Sequence, residues 1–363
     1  MHAFFEAIPD SAQGLAQCAP LPDLQVVSAS GADAITFLHG QLTQDLTGLD
    51  SARASLAGYC TAKGRLLATM VMWREPEGTD GPVVAPVVAP AAPSGAAADA
   101  RPGAAAVPPP AVFHALVRAD VAPSLVKRLT MFVLRAKAKL AITPLRVAAV
   151  WGAKDIEALG RAAGGDLPRT AWQRASLPSG TWIAAPRAAE TDGARWWWIA
   201  SDAQLDGLAS SDGALLNSLT LGDPAHWRAG DLAAGVPWVG AQTQDMFIPQ
   251  TVNLDLVGGV SFTKGCYPGQ EVVARSHYRG TVKRRMAHGV IAGVAAADVA
   301  PGTDVYDPAQ PNEPCGRVVD AAGAPDAAIL FETALSSLES GGLRLGSVDG
   351  AAIEVRPLPY ALT

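Results

Sequence analysis

Apolar positions recur along this chain in two rhythms, one near every third or fourth residue and one strictly alternating, and each change of rhythm marks an expected element. In SASGADAITFLHGQLTQDL (28–46), Ile35, Leu38 and Leu42 form a helical stripe, with Ser30 as the expected N-cap, Asp33 in the first turn and Gly40 allowing a break or tight packing. Residues 54–73, ASLAGYCTAKGRLLATMVMW, predict two strands joined at Lys63-Gly64, since a two-residue loop with glycine suits the twist of a hairpin. VFHALVR (112–118) predicts a further strand. SLVKRLTMF (124–132) predicts a short helix whose Leu125, Leu129 and Phe132 share a side.

LRAKAKL (134–140) alternates without a break, which predicts a strand with Arg135, Lys137 and Lys139 on one face. That face is either a solvated outer surface or an anion-binding wall. RWWWIA (195–200) predicts a strand whose three tryptophans alternate sides and pack. Beyond about residue 282, MAHGVIAG, CGRVVDA, LRLGSV and AIEVRPL, separated by Gly, Pro and Asp turns, predict a small antiparallel barrel or sandwich. The whole is α+β, and 363 residues exceed what one core usually serves, so two or three subdomains are expected.

Residues 76–110 break both rhythms. Nine prolines and almost no large side chains leave this stretch unable to bury a core or keep a hydrogen-bond ladder, so it is expected to be a loop insertion. Prolines this frequent would also strand carbonyls in lipid, which argues against a membrane span. With 49% apolar residues, 17% charged and a net charge of -6, bulk electrostatics argue against direct nucleic-acid binding, and any anion site must be local. Cys18, Cys60, Cys266 and Cys315 lie far apart with no C-x-x-C, which suggests reduced thiols and no resident metal. The N-terminus MHAFFEAIPDSAQG has neither a basic n-region nor an export-length apolar run, so a cytoplasmic location is expected.

The chemistry concentrates in SFTKGCYPGQE (261–271). Tyr267-Pro268-Gly269-Gln270 predicts a type II turn, with Cys266 on its shoulder. QEVVARSHYRG then predicts a helix with a Glu271–Arg275 pair four residues apart and a stop at Gly280. Lys264 and the helix N-terminus are both features that enrich a thiolate. A buried packing role remains the other reading of an unpaired cysteine. The run Arg275, Arg279, Lys283, Arg284 and Arg285, interleaved with His277 and Tyr278, suggests phosphate or polycarboxylate contacts, or else a charged helix end entering an exposed strand.

KGCYPGQEVVARSHYRG, preceded by FIPQTVNLDLVGGVSF (247–262), resembles the signature of the YgfZ family of folate-binding proteins, relatives of the glycine-cleavage aminomethyltransferase. GADAITFLHGQLTQDL, GYCTAKGRLLATM (58–70) and MFVLRAKAKL (131–140) extend the resemblance in the family's order. It implies an aminomethyltransferase-like fold, with ferredoxin-like α+β units in a ring over residues 1–281, carrying the 76–110 insertion, and a C-terminal antiparallel β-barrel over 282–363. It further implies tetrahydrofolate as cofactor, and a role in assembling or repairing iron–sulfur clusters of client enzymes, including some that modify tRNA. The family's K-G-C motif falls on Lys264, Gly265 and Cys266. The expected working residues are therefore Cys266 and Lys264, with Gly265, Tyr267, Gln270, Glu271, Arg275, Tyr278 and the cationic Arg135 as expected folate contacts.

Two departures separate the chain from the aminomethyltransferases. Ala68 and Thr69 stand roughly where those enzymes carry paired aspartates, and Ala233, in DLAAGVP, stands where they carry a pterin-holding glutamate. A folate-dependent one-carbon transferase or demethylase is the alternative function, and it needs a carboxylate that this hairpin lacks.

Overall fold

The computed structural model describes residues 2–10, 14–76, 112–210, 213–278, 280, 282–323 and 325–362. Nearly all of the Pro/Ala-rich insertion, and Arg279 of the basic run, lie outside the described residues.

The tryptophan strand Arg195–Ala200 is central to the first sheet, whose strands run in the order Leu219–Leu221, Ala16–Pro20, Arg146–Trp151, Arg195–Ala200, Gly180–Ala184 and Arg174–Leu177. As the alternation requires, Trp196 and Trp198 enter one core with Phe4, Phe5, Leu159 and Leu205, and Trp197 enters another with Ile183, Trp227 and Trp238. All three are essentially fully buried.

The second sheet is ordered Ala54–Cys60, Leu66–Arg74, Phe113–Arg118, Leu24–Ser30 and Lys139–Ile142. Helices Ala34–His39 and Ala122–Met131 cover one face through Phe37, Leu38, Leu125 and Leu129. The other face gives Val26, Leu56, Trp73 and Leu116 to the core shared with Trp197.

The third sheet, all antiparallel, runs Arg344–Leu345, Asp304–Tyr306, Gly316–Ala322, Ala327–Ala334, Arg284–Ile291 and Glu354–Arg356. It curls into a half-barrel, with an isolated Arg344–Ala352 bridge between its edges. Its Met286, Val319 and Leu330 join the same shared core, so one apolar cluster draws on all three sheets. Arg228, on helix Pro224–Ala233, crosses this junction: it pairs with Asp23 and with Asp320, each at 2.7 Å.

Four local expectations are corrected. The hairpin after Cys60 turns through Thr61–Arg65, closed by Thr61 N–H to Arg65 O at 2.8 Å, because Gly64 (φ +73°) forms a wider turn than two residues allow. Ser30 ends a strand, and Asp33 occupies the N-cap position. Phe132 is half exposed, beyond the end of its helix. Of the alternating cationic run only Lys139 and Leu140 are strand, at the start of Lys139–Ile142; Arg135 and Lys137 precede it in irregular backbone.

Candidate functional site

The loop 261–269 is fixed at two points. Lys264 is 8% exposed, and its ammonium donates to His39 O and, at 2.6 Å, to Leu42 O. It thereby satisfies carbonyls at the C-terminal end of helix Ala34–His39. The ammonium also lies 5.0 Å from the ring centre of buried Tyr267. Burial pulls Lys264 down from 10.5 to about 8.

The second fixed point is the Pro268-Gly269 turn. Gln270 N–H donates to Tyr267 O at 3.1 Å, with Gly269 at φ +82°. A Cβ at Gly269 would stand 2.4 Å from Thr61 O and 2.6 Å from Gly64 Cα, so this turn lies directly on the hairpin loop Thr61–Arg65. Glycine is required on both counts.

Helix Gln270–Tyr278 follows, seated through buried Val273, with Gln250 donating to Val273 O at 2.7 Å. Glu271 and Arg275 pair at 2.6 Å on its exposed face. Between the two fixed points, Cys266 is exposed, whereas Cys18, Cys60 and Cys315 are buried. Burial pushes Cys60 up to about 12 and raises Cys18 strongly as well.

His39 approaches this loop from the helix end that Lys264 grips. Its Nε2 is 3.9 Å from where a Cβ would stand on Gly265, and its Nδ1 is 3.2 Å from Asp45 Oδ1. Asp45 in turn accepts from Thr47 N–H at 2.9 Å and from the Thr47 hydroxyl at 2.6 Å, which holds its carboxyl below the usual range.

Three members of the basic run are engaged in ion pairs within the chain. Arg284 is paired with Glu332, and buried Arg285 with Asp255 at 2.7 Å, leaving exposed Arg275 committed to Glu271. His277 stacks on Phe262 at 3.7 Å, and Tyr278 is 67% exposed beside them.

A cavity of about 510 Å³ opens elsewhere, lined by Leu56, Arg169, Trp172, Arg187, Glu190, Gly235, Leu256 and Tyr360 among others. A second, of about 350 Å³, shares Leu56, Trp172 and Val257 with it and continues to Gln44, Asp45 and Arg53. Trp172, at φ +69° and stacked on Trp197, stands at the join of the two. Neither cavity is lined by Cys266, Lys264, Gly265, Tyr267, Gln270, Glu271, Arg275, Tyr278 or Arg135. Asp45 is the side chain common to the second cavity and to the His39 contact beside the Cys266 loop.

The residues read from sequence thus lie on the Cys266 loop and the helix that follows it, apart from Arg135, and the cavity residues were not anticipated. Trp172, a lone aromatic in an irregular segment, was the available signal. The larger cavity has one carboxylate in its lining, Glu190. Ala68 is fully buried, and Thr69 spends its hydroxyl donating to Pro237 O at 2.7 Å and accepting from Val239 N–H at 2.9 Å.

No protein-family profile matches the chain. Among curated proteins it is 32% identical over 271 residues to the tRNA-modifying protein YgfZ of Edwardsiella ictaluri, covering 73% of this chain and 68% of that one. It is 29% identical over 348 residues to the protein of the same name from Sodalis glossinidius, covering 94% and 92%. In structure it is similar to the glycine cleavage system aminomethyltransferase T from Bartonella henselae, with a TM-score of 0.67 over 99% of this chain and 89% of that one; at 13% identity that likeness shows the fold. Sequence likeness of this extent, carried on an aminomethyltransferase fold, means that the chain belongs to the YgfZ family.

Proposed function

We propose that this protein is a cytoplasmic tetrahydrofolate-binding factor for iron–sulfur cluster assembly or repair in client enzymes, including enzymes that modify tRNA, with Cys266 as its reactive group. The observation that carries this reading is the placement of the four thiols. Cys266 is exposed on a loop clamped at Lys264 and Gly269, and the other three are buried. Clusters take several thiolates as permanent ligands, so a single accessible cysteine is suited to transient contact with a client's cluster or its sulfur.

The cavities fit a folate in size and lining. The larger one falls within the roughly 300–1,000 Å³ of small-molecule sites. Trp172 and Tyr360 offer faces for the ring systems, Glu190 an acceptor for the pterin's N–H groups, and Arg169 and Arg187 partners for the glutamate carboxylates. Bound tetrahydrofolate would supply a one-carbon carrier. The chain's own residues bind and orient it, and Asp45 connects its cavity to the neighbourhood of the thiol. One-carbon transfer in the aminomethyltransferase manner is disfavoured by Ala68 and by the committed hydroxyl of Thr69.

The test is a titration of purified protein with tetrahydrofolate, run on wild type, Trp172→Ala and Cys266→Ala, alongside tRNA modification in cells carrying each. Trp172→Ala is expected to weaken binding about tenfold or more. Cys266→Ala is expected to bind as wild type does and to fail in cells. Unchanged binding in Trp172→Ala, or full cellular function in Cys266→Ala, overturns the corresponding half.

A further inference from the structure

We infer that His39, held by Asp45, is the base that takes the thiol proton of Cys266. The inference rests on the reading of Cys266 above and adds a mechanism to it. Sequence reasoning assigned Lys264 to the thiolate, yet the Lys264 ammonium is spent on His39 O and Leu42 O beneath the loop. What those bonds do is tie the C-terminal end of helix Ala34–His39 to loop 261–269.

The imidazole at that end has the thiol's loop near one nitrogen and a carboxylate near the other, the neighbours such a base needs. Nε2 lies 3.9 Å from the position of a Cβ on Gly265, the residue before Cys266, whose missing side chain leaves room beside the ring. Nδ1 lies 3.2 Å from Asp45 Oδ1, an ion-pair contact without hydrogen-bond alignment. Asp45 is kept ionised by the Thr47 hydroxyl and amide.

In the step, the Sγ–H bond breaks and its electron pair stays on sulfur. The proton passes to Nε2, and the imidazolium so formed carries its Nδ1–H against the Asp45 carboxylate. The charged groups beside His39 are Asp45, from the segment after its own helix, and Lys264, from loop 261–269, which itself lies within electrostatic reach of Cys266.

Iodoacetamide labelling of Cys266, followed by peptide mass spectrometry on wild type, His39→Gln and Asp45→Asn, tests this at pH 7 and at about pH 10. A free thiol, at about 8.5, is only about 3% ionised at pH 7 and nearly all ionised at about pH 10. His39→Gln is therefore expected to slow labelling about tenfold or more at pH 7 and leave the rate at about pH 10 unchanged, with Asp45→Asn intermediate. Equal slowing at both pH values would mean that the loop has moved, and no slowing at either would mean that the imidazole is a bystander. Both outcomes overturn the role of His39 while leaving the reactive-thiol reading intact. A wild-type Cys266 that fails to label at either pH overturns both.

Discussion

Two segments with comparable local patterns, KGCYPGQE and LRAKAKL, fold by different rules. The first carries its geometry within itself. Proline and glycine close a turn of their own, Glu271 finds Arg275 one helical turn on, and the loop is then pinned by Lys264. The second is alternating, and alternation becomes a strand only where a neighbour offers a ladder. Its neighbour, Leu24–Ser30, pairs Ser30 with Lys139 and goes no further. Past Ser30 the chain turns at Gly31 (φ +119°) into a helix, so residues 134–138 have no strand to join. Lys137 instead exchanges backbone contacts with Asp33, its N–H reaching Asp33 Oδ2 at 2.6 Å.

The sharpest way to break this comparison is to remove the pin. Lys264→Ala leaves two carbonyls under the loop without their donor, at an expected cost of about 2–4 kcal/mol. Lys137→Ala, by contrast, is expected to stay within about 0.5 kcal/mol, since its exposed ammonium has no carboxylate partner among the described residues. Urea unfolding followed by tryptophan fluorescence measures both. Lys264 has a pH signature as well. Its folded value of about 8 lies below the ordinary 10.5, so between those values the unfolded chain binds more protons and this group's contribution to stability rises with pH. Lys264→Met should flatten that rise, and an unchanged slope would mean that the ammonium is not buried as described.

Next in size are the glycines that turn each segment. Gly269→Ala forces φ +82° on a residue with a Cβ and drives that carbon to 2.4 Å from Thr61 O, between two loops that are both pinned. About 2 kcal/mol or more is expected. Gly31→Ala drives its Cβ to 2.1 Å from Lys137 O, but Lys137 belongs to the segment that no ladder holds. Relief by movement of 134–138 should leave mainly the backbone term of about 1–2 kcal/mol. Equal losses in the two variants would show that residues 134–138 are held as firmly as the Cys266 loop.

Asp33→Ala removes the bond that replaces the missing ladder, worth about 0.5–1.5 kcal/mol. Its clearer readout is tryptic cleavage after Arg135 and Lys137, expected to quicken with little change in global stability.

What was legible follows the same division. The Pro268-Gly269 turn, the Glu271–Arg275 pair and the alternating faces of Trp196, Trp197 and Trp198 depend on neighbours in sequence, and they stand as the pattern implied. The ion pairs of Arg284 and Arg285 were not legible, because their partners Glu332 and Asp255 lie 48 and 30 residues away. The carbonyl partners of Lys264 lie more than 220 residues upstream, and the cavity around Trp172 is assembled from six separate stretches of chain. No local pattern encodes such meetings. The YgfZ resemblance located the thiol, and the tertiary structure supplied its neighbours.

The smallest expected effect concerns Arg135, the member of the cationic run assigned to the folate tail. It lies in irregular backbone before the strand and lines neither cavity, so the spacing argument that a strand would have supplied no longer applies. What remains is a cation on a chain of net charge -6, able to attract the outer carboxylates of a polyglutamate that extends beyond the cavity. An exposed pairing of this kind is worth about 1 kcal/mol or less and fades within a Debye length of about 8 Å at physiological salt. Arg135→Ala is therefore expected to weaken binding of a pentaglutamylated tetrahydrofolate by about fivefold or less at low salt, to lose that difference near 0.5 M salt (~4 Å screening), and to leave the monoglutamate unaffected. An equal loss for both ligands would place Arg135 against the pterin or benzoyl part and contradict the cavity assignment. No loss for either would leave Arg135, like its neighbour Lys137, a solvated charge on a stretch of chain that joins no strand.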